Sequence, residues 1–231
     1  NVEIEGTEPY IVGGHTASGY WVDNNRATTI EGLYAAGDVA GGCPQKYVTG
    51  ALAEGEIAAE AILEYLNGKD DDRIAAENKE EGLERGGEQE LSQTAIAKKA
   101  EYESHLNASR SLMNAEQLEE AMQKIMDQYA GGIGTDYRYS GMSLAKADEK
   151  IAALLPVVDT LAATDTYELM QIYELRERLI VCQAVIAHLA ARKETRWHSF
   201  GENTDYPQQS EEWMKYVNSR MENGEIKILY R

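Results

Sequence analysis

Eight side chains, Leu169, Ile172, Leu175, Leu179, Cys182, Val185, Ile186 and Leu189, recur at intervals of three or four residues. That spacing lays one apolar stripe along a helix of about six to seven turns. A long helix with a single apolar face must bury it against partners, and the sequence supplies two. Asn114 can cap a helix ending near Gly131 with Leu118, Met122, Ile125, Met126 and Tyr129 inward, and Ser143 can cap another with Leu144, Ala147, Ile151, Leu154, Leu155 and Val158 buried. Asp165 or Thr166 opens the longest. Three such faces predict an antiparallel bundle, joined by a weaker helix over 91–106. The Met and Tyr residues on the stripes are core material, not a cofactor box.

Composition narrows the function classes. The 231 residues suffice for one large or two modest domains, with 43% hydrophobic residues to build a core. A formal net charge of −18 opposes wrapping nucleic acid and requires a local cationic pocket for any anionic substrate. The two cysteines, Cys43 and Cys182, are far apart and form no metal-binding spacing; no metal site is expected and a reduced, cytoplasmic setting fits. No apolar run approaches the roughly 20 residues of a membrane span. The chain opens at Asn1 and within ten residues enters EPYIVGGH, a strand-like run with nothing before it to pair with. A piece of a longer protein is the expectation.

Ahead of the bundle the pattern is different. Residues 10–12 and 33–36 read as short buried strands. A helix from about Gly50 to Leu66 would bury Leu52, Ala59, Ile62, Leu63 and Leu66, with Gly68 as its cap. Residues 68–90 then carry nine acids against four bases and no aromatics, as a mobile linker or a solvated excursion would. The division expected is 1–67, linker 68–90, bundle 91–193 and tail 194–231. In the tail a short helix at Glu211–Met221 and a strand at Ile226–Tyr230 are predicted.

Chemistry-bearing residues concentrate between the two predicted strands and the helix that follows. Gly37-Asp38 ends the run Leu33-Tyr34-Ala35-Ala36, so Asp38 could accept hydrogen bonds from ligand hydroxyls at the carboxyl end of a strand. An Asx turn or helix cap explains it equally well. Gly41, Gly42 and Gly50 permit close backbone approach, and a helix start near Gly50 offers N–H groups to anionic oxygen. No GxGxxG occurs. His15, after Gly13-Gly14, could move a proton, or be a hydrogen-bonded structural histidine. Lys46 is the one base within the glycine-rich turn. Arg196, Trp197 and His198 group a cation, a ring and an imidazole, suited to an anion or to docking. His105 and His188 fall in helical pattern and read as structural or exposed.

The stretches EPYIVGGHTASGYWVD and TTIEGLYAAGDVAGGCPQKYVTGALAEGEIAAEAI resemble the closing segment of the flavin domain in the fumarate reductase and succinate dehydrogenase flavoprotein superfamily. EEAMQKIMDQYAGGI resembles its C-terminal helical domain. Within the superfamily, Pro44-Gln45-Lys46-Tyr47 in place of an H-G-A-N-R run, together with ETRW and WMKYVNSR in the tail, is most similar to the adenylylsulfate reductase alpha subunit branch.

The resemblance implies a mainly α chain, a three-helix bundle preceded by a small α/β remnant of an FAD-binding domain. Asp38, with Gly37, would hold FAD hydroxyls. Gly50, Ala51 and Leu52 would bring backbone N–H groups to the flavin edge. His15 would be the substrate-side histidine, and Lys46 would stand where dicarboxylate enzymes carry a substrate arginine. Arg196 and His198 would lie where the tail folds back toward the flavin domain. The implied reaction is two-electron reduction of adenylylsulfate to sulfite and AMP, or its reverse, with an iron–sulfur beta subunit as electron partner. Two alternatives stand: a fumarate reductase or succinate dehydrogenase-type enzyme acting on another substrate, and a non-catalytic helical interaction module. Cut from its sheet partners, the segment 1–67 is expected to bind FAD poorly and not to form a doubly wound sheet.

Overall fold

The computed structural model describes residues 19–41, 48–77, 86–108, 112–196 and 201–231, with side chains omitted in 70–77 and 86–92. The chain divides into two units, Asn1–Glu84 and Arg85–Arg231, each described by itself. Among the described residues five helices dominate, as expected of a mainly α chain: α1 (Val48–Glu77), α2 (Gly86–Leu106), α3 (Ala115–Tyr129), α4 (Gly141–Val158) and α5 (Thr166–Ala191). No helix among the described residues is long and apolar enough to cross a membrane.

The second unit is built on local signals that agree with its packing. Asn114 caps α3: its Oδ1 accepts from Gln117 N at 2.9 Å, and the Gln117 Oε1 accepts from Asn114 N at 3.1 Å. Asp165 caps α5 by accepting from the Tyr167 and Glu168 N–H groups. The α4 helix starts a turn earlier than predicted. Ser140 is its cap and Ser143 the reciprocal member of the box, its Oγ accepting from Ser140 N at 2.9 Å. Asp205 adds an acceptor for Gly141 N at 2.7 Å.

The predicted stripes meet in one core of Leu118, Met122, Leu144, Ala147, Ile151, Val158, Ile172, Leu175, Leu179 and Ile186. Cys182 and Leu189 pack against its margin, whereas Val185 is 42% exposed and lies off the buried face. The α2 helix docks on α5 through a polar clasp. Glu101 accepts from Tyr173 Oη at 2.8 Å and from Lys98 Nζ at 2.8 Å, while Tyr102 stacks edge-on against Tyr173. Burial and the Glu101 carboxylate push the Tyr173 phenol well above its ordinary pKa. His105, buried, donates from Nδ1 to Leu161 O at 2.7 Å and so pins the connection between α4 and α5.

Between α3 and α4 the backbone passes through two left-handed residues, Asp136 and Tyr137, into the two-residue strand β1 (Arg138–Tyr139). This pairs in parallel with β2 (Glu202–Asn203). The tail forms an antiparallel hairpin of β3 (Val217–Glu222) and β4 (Glu225–Tyr230) packed on α5, where His188 Nε2 lies 2.9 Å from Ser219 Oγ. The helix expected over Glu211–Met221 is therefore corrected to one 3-10 turn, Glu211–Trp213, followed by a strand. Asn223-Gly224, both left-handed, makes the tight turn that matches strand twist. Pairing along six residues outweighs the local helical pattern.

In the first unit the strand predicted at 33–36 is reduced to an isolated antiparallel bridge between Ala27 and Tyr34, with a second, parallel one between Tyr20 and Ala40. The strand at 10–12 lies outside the described residues. The α1 helix runs through Gly68 to Glu77, and α2 begins at Gly86, so the acidic stretch 68–90 is helical at both ends. The face of α1 that is covered is also not the predicted one. Glu54 and Ala58 are buried, while Leu52, Leu63 and Leu66 are exposed at 69%, 62% and 51%.

Candidate functional site

The glycine-rich turn keeps its distinctive geometry. Gly37, at φ +71°, begins a 3-10 turn, Gly37–Val39, and is buried. A Cβ built there would sit 3.2 Å from Ala51 Cβ, in a left-handed conformation that side chains disfavour. Glycine thus lets the turn settle directly on the first turns of α1. Asp38 follows, exposed, inside the 3-10 turn whose capping position is Ala36.

Two clasps fix this turn against α1. At one end the Gly37 N–H donates to Glu54 Oε2 at 3.0 Å, and Arg26 Nε approaches Glu54 Oε1 at 3.5 Å. At the other, Tyr65 Oη and Lys69 Nζ donate to Glu31 Oε1 at 3.0 and 2.7 Å, and the Tyr65 ring meets Tyr34 edge-on. The Lys69 ammonium, with Tyr65, holds the exposed Glu31 carboxyl below its ordinary pKa. Between the clasps, Ala35 N donates to Arg26 O and Ala40 N to Gly37 O, both at 3.0 Å.

The helix α1 begins at Val48, with no acid in its first turn. Gly50 lies in that turn, where N–H groups lack intrahelical partners and the helix dipole is positive. Ala51 and Leu52 follow directly, Ala51 beneath Gly37. The structure therefore brings Gly37, Asp38, Gly50, Ala51 and Leu52 together around one helix start. His15, Lys46 and His198 lie outside the described residues.

Arg196 belongs to a different, well-defined cluster. Its Nε and Nη2 donate to the two oxygens of Glu194 at 2.8 and 2.9 Å, and Nη2 also donates to Ser210 O at 2.9 Å. Glu194, 1% exposed, further accepts from Arg192 Nη1 at 2.7 Å and Ser210 N at 2.9 Å. Burial pushes the Glu194 carboxyl up, but these donors outweigh it and hold its pKa below the ordinary value. Arg192 carries the same network into the tail by donating to Trp213 O and Lys215 O. No group of acids, histidines or cysteines among the described residues is placed to hold a metal ion.

Sequence reasoning missed Glu54, which it placed off the buried face. No spacing rule announces a carboxylate that buries itself against a backbone N–H.

The geometry fits an FAD contact on two counts: a side-chain-free cradle at Gly37 over the helix start, and an exposed carboxylate one residue on. Comparison with known proteins points the same way. The adenylylsulfate reductase alpha subunit of Megalodesulfovibrio gigas is 30% identical, over 94% of this chain and 36% of that one. An uncharacterized FAD-dependent oxidoreductase of Methanocaldococcus jannaschii is 28% identical, over 89% of this chain and 35% of that one. The chain spans about a third of the length of these curated relatives. Among solved structures, adenylylsulfate reductase of Archaeoglobus fulgidus superposes with a TM-score of 0.69 at 33% identity, covering 89% of this chain and 32% of that one. A quinol fumarate reductase of E. coli shares the fold, with a TM-score of 0.63 at 20% identity over 92% of this chain and 35% of that one. No protein-family model matches the chain.

Proposed function

Because the chain is homologous to part of the alpha subunit of adenylylsulfate reductase and shares the fold of fumarate reductase flavoproteins over that part, we propose that it is a section of an FAD-dependent oxidoreductase of the adenylylsulfate type. The carrying observation is the Gly37-Asp38 turn seated on the start of α1. In this reading residues 1–67 close the FAD-binding domain, 91–193 form the helical domain, and 68–90 and 194–231 are the linker and the tail.

FAD, when bound, supplies the two-electron redox chemistry of the reaction. The residues of this chain orient it. With FAD bound, Asp38 would accept hydrogen bonds from its sugar or ribityl hydroxyls, and Gly37 would keep the turn close enough to do so. N–H groups at the start of α1, around Gly50, Ala51 and Leu52, favour negative charge at the ring edge. On the substrate side, Lys46 offers a point charge to an oxyanion, where a bidentate arginine would select a carboxylate. His15 donates or takes up a proton. Arg196 and His198 complete the tail's share, with the Arg196 Nε and Nη2 already bound to Glu194 and Ser210. The substrate is then adenylylsulfate, a mixed sulfate–phosphate anhydride whose S–O bond to the phosphate breaks as two electrons release sulfite and AMP, or the reverse, in a cytoplasmic complex with an iron–sulfur beta subunit.

The test is an assay of the full-length protein with its electron-transfer partner. Adenylylsulfate-dependent formation of AMP and sulfite is the expected result. Fumarate reduction without it would move the assignment to the dicarboxylate enzymes, and absence of bound flavin would leave only the helical interaction module.

A further inference from the structure

Glu54 is the unexplained residue of the first unit. Glu56, Glu60 and Glu64 on the same helix are exposed, yet Glu54 is 5% exposed. Burying a carboxylate is unfavourable unless it is paired and hydrogen-bonded. Its two oxygens face different sides of the same loop: Oε2 accepts from the N–H of Gly37 at 3.0 Å, and Oε1 lies 3.5 Å from Arg26 Nε, an ion pair without a hydrogen bond. Arg26 itself holds a left-handed backbone, φ +65°, and its carbonyl accepts from Ala35 N, two residues ahead of Gly37. One carboxylate thus gathers both sides of the 26–37 loop onto the second turn of α1, three residues beyond Ala51.

We propose that Glu54 is a positioning residue for the FAD site. It fixes the separation between the Asp38 turn and the N–H groups at the start of α1, so that a cofactor reaching both meets contacts already in place. The inference rests on the FAD reading above. A binding site that must be ordered by its ligand loses affinity in proportion to the fraction of time it is competent, and fixing the turn beforehand removes that loss. Removing the acceptor also leaves the buried Gly37 N–H unpaired, which favours other arrangements of the turn.

The experiment measures FAD affinity of the full-length protein, stripped of flavin and titrated by fluorescence, for wild type, Glu54→Ala, Glu54→Gln and Asp38→Ala. Glu54→Ala is expected to weaken FAD about ten- to a hundredfold, the range set by one orphaned buried N–H. Glu54→Gln, whose amide oxygen still accepts from Gly37, should recover affinity to within about threefold, because the hydrogen bond carries the effect. The melting of the helical bundle should be the same in all. Affinity unchanged in Glu54→Ala, with affinity lost in Asp38→Ala, would overturn the positioning role and leave the FAD site standing. Glu54→Gln as damaging as Glu54→Ala would overturn it too. If Asp38→Ala also binds FAD like wild type, the FAD reading fails and the inference with it. Should Glu54→Ala not yield folded protein, Glu54→Asp, one methylene too short to reach Gly37, must show the same loss; retained affinity overturns the proposal.

Discussion

The two units solve the burial problem differently. In the second, the stripes of α3, α4 and α5 close on one another, and the sixteen buried apolar residues among the described ones lie mostly there. Among the described residues of the first, Ala35, Ala40 and Ala58 are the buried apolar ones, while Leu33, Val39, Leu52, Leu63 and Leu66 are each at least half exposed. Its described segments are joined by polar clasps: Glu54 with Gly37 and Arg26, and Glu31 with Tyr65 and Lys69. A unit with a closed apolar core holds its shape through packing, whereas one held by a few hydrogen bonds depends on each of them. The proposed FAD contact lies in the clasped unit, and most of the described apolar core in the packed one.

The sharpest way to break that contrast is to open the packed unit at its buried acid. Glu194→Ala strands Arg192 and Arg196 and orphans Ser210 N, and is expected to destabilise the 85–231 unit by about 3–5 kcal/mol, as loss of one partner of a buried pair does. Urea unfolding followed by helical circular dichroism measures it; a loss below about 1 kcal/mol would place this cluster with ordinary surface pairs.

The same residue sets a pH window. Its carboxyl is depressed in the folded state, so the stabilisation it gives is full above the ordinary carboxylate pKa and is lost as pH falls through the lower folded value. The Glu194→Ala variant should therefore show a flatter loss of stability below about pH 4.5 than wild type. His188 acts in the same direction at higher pH. Burial and then the Arg192 charge lower its pKa, so stability falls as the unfolded state takes up its proton below about pH 6.5.

Next in size is Gly37→Ala. The left-handed backbone and the contact with Ala51 make this cost about 1–2 kcal/mol, confined to the clasped unit. Faster proteolysis within 19–41 with an unchanged bundle melt is the expected pattern. The smallest effect belongs to Leu63→Glu: with its side chain 62% exposed, stability of this chain should stay within about 0.5 kcal/mol of wild type.

What was legible in the sequence follows the same division. Asn114 and Asp165 were readable as caps because a cap is a local device, and the α5 stripe because its partners lie in the same unit. Val185 was misassigned since two adjacent apolar residues, Val185 and Ile186, compete for one inward position. The hairpin was missed although Asn223-Gly224 signals it, because residues 211–221 also carry a helical pattern and only pairing with β4 decides between them. On α1 the apolar residues marked one face and the loop covered another. Leucines show which face can be buried, but not what the neighbouring segment supplies. The sequence points to Asp38 by its place after an apolar run, whereas Glu54 is hidden because its hydrogen bond is to a backbone atom seventeen residues away.

The most direct test of this account is the flavin content of the full-length protein purified as wild type and as Asp38→Ala, each followed by thermal melting. Flavin bound by the wild type and lost from Asp38→Ala, with the bundle melting unchanged, is the predicted result. Full flavin retention in Asp38→Ala, or a wild type that binds none, would contradict it.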